Sequence, residues 1–402
     1  MSLVDFRLSS EIQEFQGLAR EFSRGEIRPA EAELDTIEDP AAVFASETFK
    51  SVMKKAYECG FHKTGIPEPA GGLGLDSFGQ LVILEELAAG GAGLASQLLV
   101  CPIAAAAIAG FGLGARHPRY KEYLEAYVED TEGTHSGAWA ITEPNVGSDC
   151  SPREDSPVHF STHGDERDGG YVINGAKAGF VSNGGLSDFI LLFACVDPTQ
   201  GMNGTGVFLL PGDLDGITRG RPMDKLGLRA LNQAEIFFDD VEIPSEFLAL
   251  PPSPMYSMVL ENIVTGGNAS VGTIALGVAR AAYEEALEYA KNRVQGGKPI
   301  IEHQLIAMKL FKAFRSIEAA RALIWKAAFA QNIVYSAAAR TFASDMAVEV
   351  TAEMVQIFGG YGISKEYPVE KFYRDAKLLQ IMDGANEVVS ILAAEKIAAG
   401  AV

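Results

Sequence analysis

The chain has 402 residues, of which 48% are hydrophobic and 21% charged. That composition belongs to a folded globular protein rather than a disordered one, and the length suffices for layers packed around a sizeable core. A formal net charge of −20 disfavours nucleic acid and anionic membrane surfaces as partners.

In chain order, residues 1–132 predict a helical domain. Met1–Phe6 lacks the basic and apolar regions of a leader. Ser9 or Ser10 is placed to cap a helix whose Ile12, Phe15, Leu18, Ala19 and Phe22 share a face. Pro67–Gly74 is a Gly- and Pro-rich loop, followed by a second helical stripe of Val82, Leu84, Leu87 and Ala88. Ala104–Ala109 predicts a tightly packed core helix. With no run of 18 apolar residues, no membrane span is expected.

Residues 133–248 change period. Tyr171–Ile173, Phe189–Phe193 and Gly206–Leu210 are short β-branched or aromatic runs bounded by Asn-Gly, Gly-Gly and Pro-Gly pairs, which predicts strands and turns. Asp155–Gly170 is polar and reads as an exposed hairpin or loop. Residues 249–402 return to helix. Leu310, Phe314, Ile317, Arg321 and Ile324 keep a spacing of three and four, and a second long helix is expected from about Ala337 to Phe358. The pattern is that of an α+β chain: a helical domain, a middle β domain and a C-terminal helical bundle.

Cys59, Cys101, Cys150 and Cys195 are widely spaced and suggest neither a disulfide scaffold nor a zinc site, so a reduced, cytoplasmic setting is the simpler reading. The six histidines form no metal-ligand spacing, and no metal is expected. No GxGxxG, P-loop or GxSxG elbow stands where its chemistry would need it. One carboxylate has a setting that suggests chemistry. Asp383 follows the mostly apolar run Leu378, Leu379, Ile381, Met382 and precedes Gly384. Burial there would raise its basicity, as proton abstraction beside a carbonyl requires. Taken alone, Asp before Gly is equally well ordinary turn chemistry.

Several segments along the chain, taken in order, resemble the acyl-CoA dehydrogenase family. They are Trp139–Asp149; Tyr171–Lys177 with Phe180–Gly185; Lys225–Ala230 with Phe237–Pro244; Arg293–Gln295 with Lys298–Gln304; Gln356–Gly362; and Tyr367–Glu387. The resemblance implies that family's three-domain fold, with a β-barrel-like middle domain and a four-helix bundle, and FAD as cofactor. It implies flavin contacts from Ile141, Thr142, Gly147 and Ser148, with Phe180 and Ser182 near the reactive face and the Ser182 hydroxyl near N5. Arg293, Gln295, Gln356, Gly359 and Gly360 are implied to reach a cofactor bound mainly by another subunit, hence a homotetramer or homodimer. Asn386 completes the implied flavin set. Asp383 aligns with the catalytic base, which takes the α proton of an acyl-CoA thioester while hydride passes from the β carbon to flavin N5. Ser148, Gly267, Asn268 and Gly384 are the implied substrate contacts, and an electron-transfer flavoprotein is the implied acceptor.

Departures from the family pattern cluster around the base. Asp383 replaces the usual Glu, Ser390 stands where an Arg is expected, and Gly267 occupies a position that carries the base in a subset of the family. Asn268 replaces a usual Arg, Phe180 and Ser182 replace Trp and Thr, and Gly296 replaces Phe. The shorter base leaves room for a branched or cyclic acyl group, such as cyclohexanecarboxyl. Nitroalkane oxidases in the same superfamily also use Asp, so that activity is an alternative; a non-catalytic flavoprotein is another. Glu261 is a second carboxylate near the implied site.

Overall fold

Side-chain caps set several helix starts. The Ser9 hydroxyl accepts from Ile12 N at 3.2 Å and Asp76 accepts from Gly79 N at 2.8 Å. The computed structural model describes residues 7–150, 158–254 and 256–400. Met1–Phe6 and residues 155–157 of the expected loop lie outside them. The first block holds α1 (Ser10–Phe22), α2 (Arg28–Leu34), α3 (Pro40–Ala45), α4 (Glu47–Glu58), α5 (Ser77–Gly90), α6 (Ala92–Val100), α7 (Ile103–Gly110) and α8 (Pro118–Glu129). Contrary to the sequence reading, Ala92–Gly110 is long and apolar enough by composition to cross a membrane. Cys101 and Pro102 break it into α6 and α7, and 67% of the stretch is buried inside the fold, so its apolar character serves core packing.

The middle block is one eight-stranded mixed sheet. Its strands are β1 (Gly137–Ala140), β2 (His163–Arg167), β3 (Gly170–Lys177), β4 (Phe189–Cys195), β5 (Thr205–Pro211), β6 (Ile217–Arg219), β7 (Ile236–Pro244) and β8 (Leu248–Leu250). They run in the order β6-β7-β3-β2-β4-β5-β8, with β1 parallel beside β4. Asp168 and Gly169, both at positive φ, turn the β2–β3 hairpin that occupies much of the expected polar loop.

The last block holds α9 (Tyr256–Asn292), the two-residue strands β9 (Val294–Gln295) and β10 (Lys298–Pro299), α10 (Gln304–Ala330), α11 (Ile333–Phe358), α12 (Val369–Leu378) and α13 (Asn386–Ala398). α11 begins before the expected Ala337 because Asn332 caps it, accepting from Val334 N at 2.8 Å. α9 packs along α5, α10 and α11.

Buried charge joins the two helical blocks. Glu85 and Glu86 of α5 meet Arg280 of α9 at 2.9 and 2.7 Å, Arg321 of α10 reaches Glu85 at 2.9 Å, and Arg20 of α1 reaches Glu86 at 2.7 Å. Burial would raise the Glu86 pKa, but hydrogen bonds from Arg20 and Arg280 overcome it and hold it at about 2.

His62 is the opposite case. It is buried, stacked on Tyr57 at 4.1 Å, and neither ring nitrogen has a hydrogen-bond partner among the described residues. Burial, helped by Lys63, pushes its pKa down to about 4 from the ordinary 6.5. The unfolded chain therefore binds the extra proton between those values. The stability this neutral ring allows is complete above pH 6.5 and declines as pH falls toward 4, by at most about 1.4 kcal/mol per unit. Melting temperature measured from pH 7 to 4.5 is expected to fall less steeply in His62→Phe than in the parent protein; identical slopes would remove His62 from the acid response.

Candidate active site

Asp383 lies in the turn between α12 and α13. Its backbone is left-handed, with φ 54°, and Gly384 beside it has φ 96°. Asp adopts that conformation more readily than most L residues, and partners nearby can hold it there. Here the partner is Arg340, fully buried in the first half of α11. Its Nη1 donates to the Asp383 carbonyl at 2.8 Å, and its Nη2 donates to the carbonyls of Met382 and Gly384. Nη1 also donates to Asn268 Oδ1 on α9 at 2.9 Å.

This geometry sorts the polar groups of the turn. Three successive carbonyls face the guanidinium, while the Asp383 N–H meets no acceptor among the described residues. That N–H remains available to an oxyanion. Asp383 is exposed to solvent in the single chain, in contrast to the burial suggested by the apolar run before it, although protein atoms crowd around its carboxyl. The surrounding protein raises its pKa above the ordinary carboxylate range, and the Arg340 charge pulls it part of the way back. Burial lowers the Arg340 pKa, and Asp383 opposes that. Across from the turn, a side chain added at Gly267 would meet nothing within 4 Å, so α9 leaves open space there. Glu261 is ion-paired with Lys396 of α13 at 2.6 Å, which gives it a structural role instead.

The loop after β1 is bonded to this turn. The Ser148 hydroxyl accepts from Ala385 N at 3.0 Å, just ahead of α13. The loop is itself anchored inside: Lys177 Nζ donates to Ile141 O at 3.0 Å and to Glu143 at 2.7 Å, and Ala178 N donates to Thr142 O at 2.9 Å. Trp139 N donates to Ser182 O at 3.4 Å, which brings the Phe180–Ser182 segment alongside. Ile141, Thr142, Gly147, Ser148, Phe180 and Ser182 thus belong to one bonded region, with Ile141 and Ser182 buried in it, joined at Ala385 to the turn that carries Asp383. That region suits a flavin ring. Phe180 leaves 58% of its area exposed, Gly147 has open space around it, and the Ser182 hydroxyl proton has no acceptor among the described residues.

Other expected site residues lie elsewhere. Arg293 and Gln295 follow the far end of α9, roughly 38 Å along the helix axis from Gly267 at 1.5 Å per residue. Arg293 stacks on Tyr361 at 5.6 Å, next to exposed Gln356, Gly359 and Gly360. Within one chain that patch is too distant to touch a ring beside Asp383. Asn386 points inward: its Nδ2 donates to Ser344 at 2.8 Å and Asp345 at 3.0 Å, tying α13 to α11. Sequence reading overlooked Arg340. Its signal was a single cation directly after the small apolar run Ala337–Ala339 of a buried helix.

Replacing Arg340 with Met removes the charge that opposes burial of Asp383. The Asp383 carboxyl is then expected to ionise at higher pH, and Arg340→Lys to fall between. Difference infrared titration of the carboxyl reads this directly; an unchanged titration in Arg340→Met would reduce Arg340 to a backbone brace.

Comparison with known proteins gives a consistent result. Models of the N-terminal, middle and C-terminal domains of acyl-CoA dehydrogenase match residues 9–123, 138–241 and 258–398. A short-chain specific acyl-CoA dehydrogenase of Megasphaera elsdenii is 36% identical over 394 residues, covering 96% of this chain and 97% of that protein. The solved structure of butyryl-CoA dehydrogenase from Megasphaera elsdenii has a TM-score of 0.85 at 35% identity, covering 98% of this chain and all of that one. A nitroalkane oxidase has a TM-score of 0.86 at 23% identity over 98% of this chain and 96% of its own, a likeness of fold alone. Matched through all three domains, the chain belongs to the acyl-CoA dehydrogenase family, the FAD-dependent oxidoreductases that act on the CH–CH bond of acyl-CoA thioesters.

Proposed function

We propose that this dehydrogenase acts on a short branched or cyclic acyl-CoA, with Asp383 as the base that takes the α proton. The observation that carries this reading is the Arg340-held turn, which presents a crowded carboxyl and an unengaged N–H together. Asp383 removes the proton while its own N–H donates to the thioester oxygen as negative charge develops there. Bound FAD supplies the acceptor for the hydride leaving the β carbon. Ile141, Thr142, Gly147, Ser148, Phe180 and Ser182 hold and face the ring. Gly267 and Gly384 border the acyl thioester, and the expected contact from Asn268 is replaced by its bond to Arg340.

Two features favour a short, wide acyl group. Asp is one methylene shorter than Glu, about 1.5 Å, and misplacement on the order of 1 Å costs about 100-fold, so the substrate must come closer to the base. An apolar cavity of about 160 Å³ lies between α5, α6 and α9, lined by residues including Leu84, Leu87, Leu98, Leu99, Pro102 and Ser270. With this cavity taken as the seat of the acyl chain, a volume below the usual ~300 Å³ floor of drug-sized ligand sites admits only a short one.

The reading includes an oligomer. Leu305, Met308, Phe311 and Phe314 form an exposed apolar stripe on α10, with Phe311 exposed over 62% of its area. Such stripes mark interfaces. A partner subunit would bring a second Arg293–Gln356–Gly360 patch to the cofactor that this chain's own patch is too far away to touch. The reduced cofactor is expected to pass electrons to an electron-transfer flavoprotein.

Anaerobic titration with acyl-CoAs, including a cyclic one, and with a nitroalkane tests the substrate. Bleaching of the flavin band fastest with branched or cyclic thioesters is expected; reduction by straight chains alone would sink that part of the reading, and reduction by the nitroalkane alone would replace it. Asp383→Asn should slow flavin reduction by about 10²–10⁴-fold while acyl-CoA still binds. Phe311→Glu should convert the oligomer to monomer in sedimentation and weaken FAD retention. A monomer that keeps its FAD would argue against a shared site.

A further inference from the structure

A lysine near the flavin-facing segment is held without a carboxylate. Lys225, in the loop between β6 and β7, donates to Leu231 O at 2.7 Å and to Gln233 Oε1 at 3.0 Å, and it makes no ion pair among the described residues. Burial pushes its pKa down to about 7, with Asp375 opposing. A lysine ammonium only donates, so the Gln233 amide oxygen must face it and the amide NH₂ must face away. On that side Gln233 Nε2 donates to Phe180 O at 3.2 Å and to Ser182 Oγ at 3.3 Å. Backbone bonds from Asn183 N to Asn232 O at 2.8 Å and from Ala234 N to Val181 O at 3.2 Å fix the register of the two segments.

We propose that Lys225 and Gln233 are positioning residues that set the Ser182 hydroxyl as a hydrogen-bond donor to the flavin ring and so favour arrival of electrons there. This rests on the placement of Ser182 beside the flavin in the reading above. Because the serine oxygen accepts from Gln233, the hydroxyl proton must point elsewhere, and no described residue takes it. Hydrogen bonds in a chain polarise one another, and while Lys225 carries its proton the chain begins at a cation, which makes the terminal hydroxyl the stronger donor. Negative charge arriving on the ring is then stabilised by a donor already in place. The arrangement also answers a departure in sequence. Threonine, usual here in the family, has a branched Cβ that stiffens χ1; serine lacks it, and the Gln233 bond supplies a restraint in its place.

The test uses the FAD-loaded protein and measures the midpoint potential of bound flavin by dye equilibration, with the FAD dissociation constant as a check that the site is intact. Ser182→Ala, Gln233→Met and Lys225→Met are each expected to lower the potential. Each should slow flavin reduction about tenfold, the size of one hydrogen bond. The double variant Ser182→Ala with Gln233→Met should match Ser182→Ala alone, since the relay acts only through that hydroxyl. Should Lys225→Met fail to fold, Gln233→Met and the double variant decide. A lowered potential in Ser182→Ala with none in Gln233→Met, or effects that add in the double variant, would overturn the relay while leaving Ser182 beside the ring. An unchanged potential in Ser182→Ala would overturn that placement and the relay with it.

Discussion

Lys371 is where the three parts of the chain meet. Its ammonium lies 2.7 Å from Glu31 of α2 and 2.6 Å from Asp375, one turn along α12. Glu31 also accepts from Leu94 N of α6 at 2.6 Å, and Asp375 from Leu228 N of the β-domain loop at 2.7 Å. Burial disfavours the lysine charge, but the two carboxylates prevail and hold its pKa well above the ordinary lysine value. Removing one member of such a buried centre leaves uncompensated charge, at a cost of about 3–5 kcal/mol. The chief consequence is positional. α12 runs directly into the Asp383 turn, and the Leu228 loop leads to Gln233, so one ionic centre places that turn relative to the Phe180–Ser182 segment.

Within that frame, Arg340 does for the base turn what a helix cap does for a helix end. It satisfies three carbonyls that a left-handed turn leaves without partners, and it brings a positive charge close to the carboxyl it orients. The cations expected at Asn268 and Ser390 are absent, yet a cation is present, delivered by a third helix. Asn268 fits this substitution: it accepts from Arg340 where a second arginine would repel it. The departures around Asp383 are thus mutually consistent and do not read as decay of the site.

Charge is used in opposite ways at the surface and inside. A chain of net charge −20 keeps Arg340 fully buried on the Asp383 turn and Arg280 and Arg321 partly buried on Glu85 and Glu86. There they are shielded from the overall field and act over single hydrogen-bond distances, where low dielectric makes them effective.

Much of this was legible from sequence because it depends on local chemistry. Period and turn residues marked helices, then strands, then helices, and the Ser9 cap and the β-branched runs fell where propensity placed them. Asp383 stood out because it aligns with the base of the family that the chain resembles; an acid before glycine is otherwise ordinary turn chemistry. The apolar stretch Ala92–Gly110 became two core helices, decided by Pro102 and by burial against other elements. Arg340, Gln233 and Lys225 carried no motif, since what each does depends on partners far away in sequence: Asn268 and the 382–384 carbonyls for the first, Ser182 for the others. The sequence by itself determined the classes of element, because those follow from neighbours along the chain, and it singled out Asp383 as a candidate base through the family resemblance. Only the tertiary structure decided what holds the left-handed backbone at Asp383, which donor was left unengaged, and that the Arg293 patch lies out of reach, because hydrogen bonds and distances between helices exist only once the helices are packed.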